Sequence, residues 1–174
     1  MIDYGIVESA DKPLEISEDE YSIYLATDIQ EIQKESEQSE EPAILYTYNL
    51  KRYEKTEPAP LEYIKHKKQL EFKSNRDEEE VLPIEYNGNF YDYDEKARDR
   101  INAAIIALNL QSPEATIDWT TADNKSANLT ALDLQMIIGA VAVRSNKLHI
   151  KYRNLKDSIA EASTEEEINK LTWN

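Results

Sequence analysis

Residues 130–161 decide how the second half of the chain folds, and they read TALDLQMIIGAVAVRSNKLHIKYRNLKDSIAE. Thr130 followed by Asp133 predicts a helix N-terminus, because such side chains accept hydrogen bonds from the first turn. Apolar residues then recur every seven positions. One row is Leu134, Val141, Leu148 and Leu155, and a second is Ile138, Tyr152 and Ile159. The pattern predicts a helix over about residues 131–161, which we expect to pack on another helix and to offer a surface to a partner or a second copy.

The region before this helix predicts a β-hairpin and a shorter helix. The hairpin is expected over Ile84–Tyr91, because the turn residues Asn87 and Gly88 tolerate positive φ. Asp92, with Glu95 three residues later, is predicted to cap the helix that follows. Its apolar face is Ala97, Ile101, Ala104, Ile105 and Leu108.

A second hairpin is predicted between the two helices, and a short helix after them. Residues 115–120 and 126–129 form its strands around a turn at 122–125, with Ile117 and Trp119 on one side. Ser163 or Thr164 is expected to cap a closing helix over Glu165–Leu171. Gly139, inside the long helix, costs about 1 kcal/mol relative to alanine, which indicates a close packing approach or a slight bend.

The first half of the chain predicts a small tyrosine-rich sheet. Strands are expected at Ile2–Val7, Tyr21–Ile29 and Ala43–Tyr53, where β-prone residues alternate. The polar stretch Gln33–Pro42 is predicted to be an exposed loop or hairpin tip. A helix is expected over Leu61–Phe72.

These elements together predict an α+β fold. A small tyrosine-rich β module is followed by a domain built as helix, β-hairpin, long helix and short helix. The predicted boundaries are 1–72 for the module with its terminal helix, 73–83 for a charged linker, and 84–174 for the second domain.

Composition limits the classes of function. The chain of 174 residues has a net charge of -15, which disfavours nucleic-acid binding because phosphates are repelled. No run approaches the roughly 18 apolar residues of a membrane helix, and the N-terminus lacks the pattern of a signal peptide. Cysteine is absent, which excludes disulfides and thiolate chemistry. We therefore expect synthesis in a cytoplasm and no membrane partner.

Candidate chemical groups have simpler structural explanations. His66 and His149, without cysteine or a paired histidine spacing, disfavour a transition-metal site, and the spacing of His149 to Arg153 fits helix-surface pairing better than proton transfer. Asp118, Asp123 and Asn124 fit a turn better than a calcium loop. Four arginines could form a patch that binds an anion or a carbohydrate, but a solvated helix face is favoured; they are Arg98, Arg100, Arg144 and Arg153. No catalytic, cofactor or metal residue is predicted.

Residues 84–174 resemble a C-terminal domain of unassigned chemistry that recurs in phage and prophage tail-fibre and tail-fibre-assembly proteins. The resemblance rests on the order and spacing of short motifs. They are NGNFYDYD at 87–94 with Arg98–Ile101, then Ile117-Asp-Trp119 with Ala122-Asp-Asn124 and Leu129-Thr130, then Arg144, Leu148-His149, Arg153, Leu155-Lys156 and Ile159, and finally Ala162–Glu167 with Trp173.

The resemblance implies a role in a virion or in its assembly, and no enzymatic activity. We expect an accessory protein that binds the tail fibre and assists its assembly or stays attached to it. The alternative is a structural or receptor-binding component of the tail tip or baseplate, self-associating through the long helix. Partner-binding candidates are Tyr46, Tyr48, Tyr152 and Trp173, because tyrosine and tryptophan suit interfaces. The expected location is the host cytoplasm during assembly, and the virion tail if the protein stays bound.

Overall fold

The computed structural model describes residues 1–34 and 42–174. The chain forms two compact units, one of residues 1–69 with 159–172 and the other of residues 70–158 with 173–174. The fold is α+β, as predicted: a four-stranded antiparallel sheet is followed by helices and two hairpins. No helix of the described residues is long and apolar enough to cross a membrane.

The first unit contains the sheet, whose strand order is β1-β4-β3-β2. Its strands are β1 (Ile2–Ser9), β2 (Ile16–Glu18), β3 (Ser22–Lys34) and β4 (Ala43–Glu54). Three of them confirm predicted strands, whereas β2 was not predicted because three residues carry too little pattern. The predicted hairpin tip overlaps β3 at residues 33–34, which are paired with β4. Residues 35–41 of that prediction lie outside the described residues.

Two irregularities shift the strand register of this sheet. One lies in β1 between Asp3 and Gly5, where Gly5 adopts a φ of 66°. The other lies in β3 between Thr27 and Gln30, with Asp28 at a φ of 54°. Ile23 and Leu25 of β3 are buried, as their alternation predicts, but Tyr21 precedes the strand and is exposed.

The helix α1 spans Leu61–Glu80. The predicted end at Phe72 is therefore wrong, and the segment predicted as a charged linker is helical as far as Glu80. Phe72 is fully buried, whereas Leu70 is exposed. Charged residues after Phe72 continue the helix because they make contacts with other elements, described below.

The second unit holds both predicted hairpins and α2. The strands are β5 (Ile84–Tyr86), β6 (Asn89–Tyr91), β7 (Thr116–Thr120) and β8 (Ser126–Thr130). The turn at Asn87-Gly88 is confirmed, since both residues have positive φ. The helix α2 spans Glu95–Asn109, and its cap is Asp94 rather than the predicted Asp92: the Asp94 carboxylate accepts from the Ala97 N–H over 2.7 Å.

The helix α3 spans Ala131–Glu161, as predicted. Its cap is also confirmed, because the Asp133 carboxylate accepts from the Thr130 N–H over 2.9 Å and the Thr130 hydroxyl accepts from the Asp133 N–H over 3.2 Å. Tyr86 of β5 donates its hydroxyl to Asp133 over 2.8 Å, which ties the first hairpin to the start of α3.

The core of the second unit lies between α2, α3 and the hairpins. Its buried members are Tyr91, Ile101, Ala104, Leu108, Trp119, Leu129, Leu134 and Ile137. The predicted apolar faces of α2 and β7 are thus confirmed, and Trp119 is a core residue. Ile137 is fully buried although it belongs to neither predicted row of α3.

The closing helix α4 spans Glu165–Lys170. Thr164 is its cap, since its hydroxyl accepts from the Glu167 N–H over 3.2 Å, and the Glu167 carboxylate accepts from the Ser163 N–H over 2.7 Å. This reciprocal pair confirms the predicted start of the helix.

Candidate functional site

The outer edge of β1 carries no partner strand among the described residues. β1 lies at one end of the strand order and has eight residues, whereas β2, at the other end, has three. Ile6 is 76% exposed on this strand, and Ile2 and Tyr4 are also exposed. An unpaired edge presents backbone N–H and C=O groups that can accept another strand.

Tyr46 and Tyr48 lie on β4, directly beside this edge strand. Tyr48 is opposite Val7 and Tyr46 is opposite Ser9, so both rings stand on the same face of the sheet. Both are half-buried. The Tyr46 hydroxyl donates to Glu31 of β3 over 3.4 Å. The structure therefore brings two of the predicted partner-binding residues together, next to an open edge.

Glu18 anchors the other end of the sheet. Its carboxylate lies 2.9 Å from Lys55 Nζ and 3.0 Å from Lys67 Nζ, and it accepts from the Tyr63 hydroxyl over 2.7 Å. These hydrogen bonds, first from Lys55 and then from Tyr63 and Lys67, lower the pKa of Glu18 to about 2. The cluster links β2 and the end of β4 to the first half of α1.

A groove of about 520 Å³ lies in the second unit, with an apolar floor and a charged rim. The floor includes Ile138 and Val141, and the rim includes Glu80, Glu95 and Arg98. Most polar side chains that line the groove make hydrogen bonds or ion pairs within the protein; Asp94, for example, caps α2.

Glu80 binds two side chains of α3 at this groove. Its Oε1 accepts from the Ser145 hydroxyl over 2.7 Å and lies 3.0 Å from His149 Nε2. The Glu80 carboxylate thus lies between the Ser145 hydroxyl and the His149 imidazole. A catalytic serine is activated by a direct hydrogen bond from its hydroxyl to an imidazole, which this arrangement does not provide. The predicted surface position of His149 on α3 is correct, but the contact that the structure shows is with Glu80.

Trp173 and Tyr152, the other two predicted partner-binding residues, both contact the second half of α1. Trp173 is 8% exposed, its Nε1–H donates to Glu79 over 2.6 Å, and its ring centroid lies 6.0 Å from that of Phe72. The ring of Tyr152 lies 5.0 Å from the Arg76 guanidinium. The burial of Trp173 leaves its ring little surface for a partner, while Tyr152 is half-buried.

A family described as a domain of unknown function, DUF4376, matches residues 63–172, more than half of the chain. The chain belongs to the DUF4376 family. The description assigns no activity to DUF4376. Comparison with curated proteins and comparison with solved structures give no match.

The DUF4376 match begins inside α1 and ends after α4, so the edge strand β1 and the tyrosines of β4 lie outside it. Within the DUF4376 region, sequence reasoning missed the role of Arg144, which was expected on a solvated helix face. Its guanidinium instead donates to the carbonyl oxygens of Glu80, Leu82 and Pro83 over 2.8, 2.7 and 3.2 Å. Burial lowers the pKa of Arg144 from its usual value. No local sequence signal reveals this contact, because the partners are backbone atoms more than sixty residues away.

Proposed function

We propose that this protein is a non-enzymatic accessory protein that binds a tailed-phage tail fibre through the open edge of β1, and assists its assembly or stays attached to it. The observation that carries the proposal is the eight-residue strand β1, whose outer side has no partner strand among the described residues and which bears exposed apolar side chains. The phage context comes from the resemblance of residues 84–174 to tail-fibre-associated domains.

Tail fibres give such an edge a physical use. They are β-rich trimers that fold slowly, and their strands expose unpaired edges until the trimer closes. A strand added to β1 would satisfy backbone groups on both chains, and Tyr46 and Tyr48, one strand further into the sheet, would support β1 with large, rigid rings.

The acidic first half suits the same task. Residues 1–90 hold 10 basic and 22 acidic residues, a net of -12. Mutual repulsion between copies disfavours pairing of two β1 edges in solution, while a partner with basic flanks is attracted. The charge of the first half therefore favours pairing of the β1 edge with a different protein.

A second candidate function is a structural or receptor-binding component of the tail tip or baseplate. The exposed apolar residues of α3, which include Met136 and Val143, favour it because a structural component needs a surface for self-association. Sedimentation separates the two functions: a stable homotrimer favours the structural component, and a monomer or dimer favours the accessory protein.

The edge is tested by Ile6→Lys, with Leu14→Lys as the matched control. Both residues are highly exposed in the first unit, but only Ile6 lies in β1. Co-elution with a tagged tail fibre of the same phage is expected to fall about tenfold or more for Ile6→Lys, because a charge on an edge opposes strand addition. Leu14→Lys is expected to bind as the unchanged protein does.

Circular dichroism of both variants establishes that the sheet is intact. If Ile6→Lys co-elutes as well as Leu14→Lys, the edge is not the binding site. If the unchanged protein fails to co-elute as well, the fibre is not its partner.

A further inference from the structure

The outward face of α3 is apolar and almost uncharged over five helical turns. Leu132, Met136, Val143 and Ile150 are exposed by 65, 53, 57 and 40%. The 3.6-residue spacing of a helix puts these four on one side, and Lys147 is the one charged residue that it places among them. Since 32% of the residues in the chain are charged, a face of this length with one charge indicates a covered surface.

This face is not the one that the seven-residue rows predicted. Leu134, Val141 and Leu148 of the predicted row are buried in the chain's own core. The exposed residues Met136, Val143 and Ile150 follow them by two positions each, which is about 200° around the helix. α3 therefore has two apolar sides, and folding of the chain uses one of them.

We propose that a second copy of this chain docks on the outward face of α3, antiparallel, around a twofold axis near residue 141. Residue 141 is the midpoint between Leu132 and Ile150. In this register Leu132 of one copy meets Ile150 of the other, and Val143 meets Gly139. A Cβ built on Gly139 has no neighbour within 4 Å, so this glycine offers open space to an opposing side chain.

Charge complementarity selects a second copy and this orientation. Asp133, which caps α3 and accepts from Tyr86, carries its negative charge at one end of the face. Lys147 is exposed on the same flank at the other end, whereas Lys151 lies over the ring of Trp173 in its own chain. Antiparallel pairing brings Asp133 of each copy beside Lys147 of its partner, at both ends of the interface, where the opposite charges attract. Parallel pairing would instead set the lysines of both copies at one level and align the two helix dipoles.

Sedimentation equilibrium of the full chain tests the contact. We expect twice the mass of one chain, and the mass of one chain for the double variant Met136→Glu, Val143→Glu. Leu110→Glu is the control, because Leu110 is 83% exposed but lies just beyond α2. A monomeric unchanged protein overturns the proposal, and so does a double variant that stays dimeric.

Disulfide cross-linking tests the orientation. Because the chain has no native cysteine, any disulfide must join the introduced residues. Leu132→Cys and Ile150→Cys are prepared separately, mixed and oxidised. Disulfide dimers are expected in the mixture alone, because antiparallel copies of residue 132 lie about 27 Å apart along the helix axis. Disulfide dimers in either variant alone contradict the antiparallel register. Neither experiment involves a fibre, so their outcome is independent of the proposed function.

Discussion

Arg144 closes the C-terminus of α1: its Nη2 donates to the carbonyl oxygen of Glu80 over 2.8 Å. The last turn of α1 consists of Asp77, Glu78, Glu79 and Glu80, with no basic residue. Four carboxylates at the negative end of a helix dipole are unfavourable, and the last carbonyls of a helix lack partners of their own. One guanidinium from α3 supplies both the charge and the donors, which explains why α1 extends past Phe72.

Arg144→Ala is expected to lower the free energy of unfolding by about 2–3 kcal/mol, because three carbonyls lose a charged donor. Urea denaturation followed by circular dichroism measures the change. Arg153→Ala is the control: Arg153 is exposed on the same helix, and its loss is expected to cost about 0.5 kcal/mol at most. Equal costs for the two variants would contradict the capping role.

Asp94→Ala is expected to destabilise the protein by about 1 kcal/mol, because it removes the acceptor for the first turn of α2. Asp92→Ala is the matched comparison, two residues away and exposed, and is expected to be nearly neutral. Thermal denaturation of both variants under one condition gives the difference. A larger destabilisation by Asp92→Ala than by Asp94→Ala would show that Asp92 is the cap.

Glu18 gives the first unit a defined acid sensitivity. Its pKa in the folded chain, about 2, lies below the ordinary carboxyl value of 4.5, so its stabilising contacts are fully present above pH 4.5. They are lost as the pH falls through about 2. Melting temperatures between pH 5 and 2 are expected to drop less steeply for Glu18→Gln than for the unchanged protein. Glu20→Gln, an exposed neighbour, is expected to keep the steeper drop, and identical profiles for all three would contradict the role of Glu18.

Trp173 is expected to be a stability residue of the second unit. Trp173→Ala removes a buried ring packed near Phe72 and is expected to cost about 3–5 kcal/mol. Trp173→Phe keeps a ring but loses the donor to Glu79, at about 1–2 kcal/mol. Chemical denaturation measures both. A Trp173→Ala cost as small as that of the exposed Phe90→Ala would show that the indole is not part of the core.

Local signals in the sequence predicted much of the fold. The cap at Thr130, the turn at Asn87-Gly88 and the span of α3 follow from residues adjacent in sequence, and such signals survive folding unchanged. The buried positions of α2 and Trp119 follow from periodicity in the same way.

Features that depend on distant residues were beyond the sequence. Nothing near Glu80 in the sequence shows that Arg144 will cap α1, so the charged stretch predicts a linker where the structure has a helix. The choice between Asp92 and Asp94 depends on where the hairpin ends, which is set by packing of Tyr91. A seven-residue apolar row is compatible with a core face and with a self-association face. The structure shows that most of the predicted row is buried in the core, and that a different set of apolar residues is exposed on the outward face of α3.

The proposal that the protein assists a tail fibre is tested most directly by expressing a tail-fibre gene from the same genome with and without this chain and measuring soluble fibre trimer. We expect abundant trimer only in the presence of the chain, with co-elution of the two proteins if the chain stays attached. Equal trimer yields in both cultures, with nothing co-eluting, would contradict it.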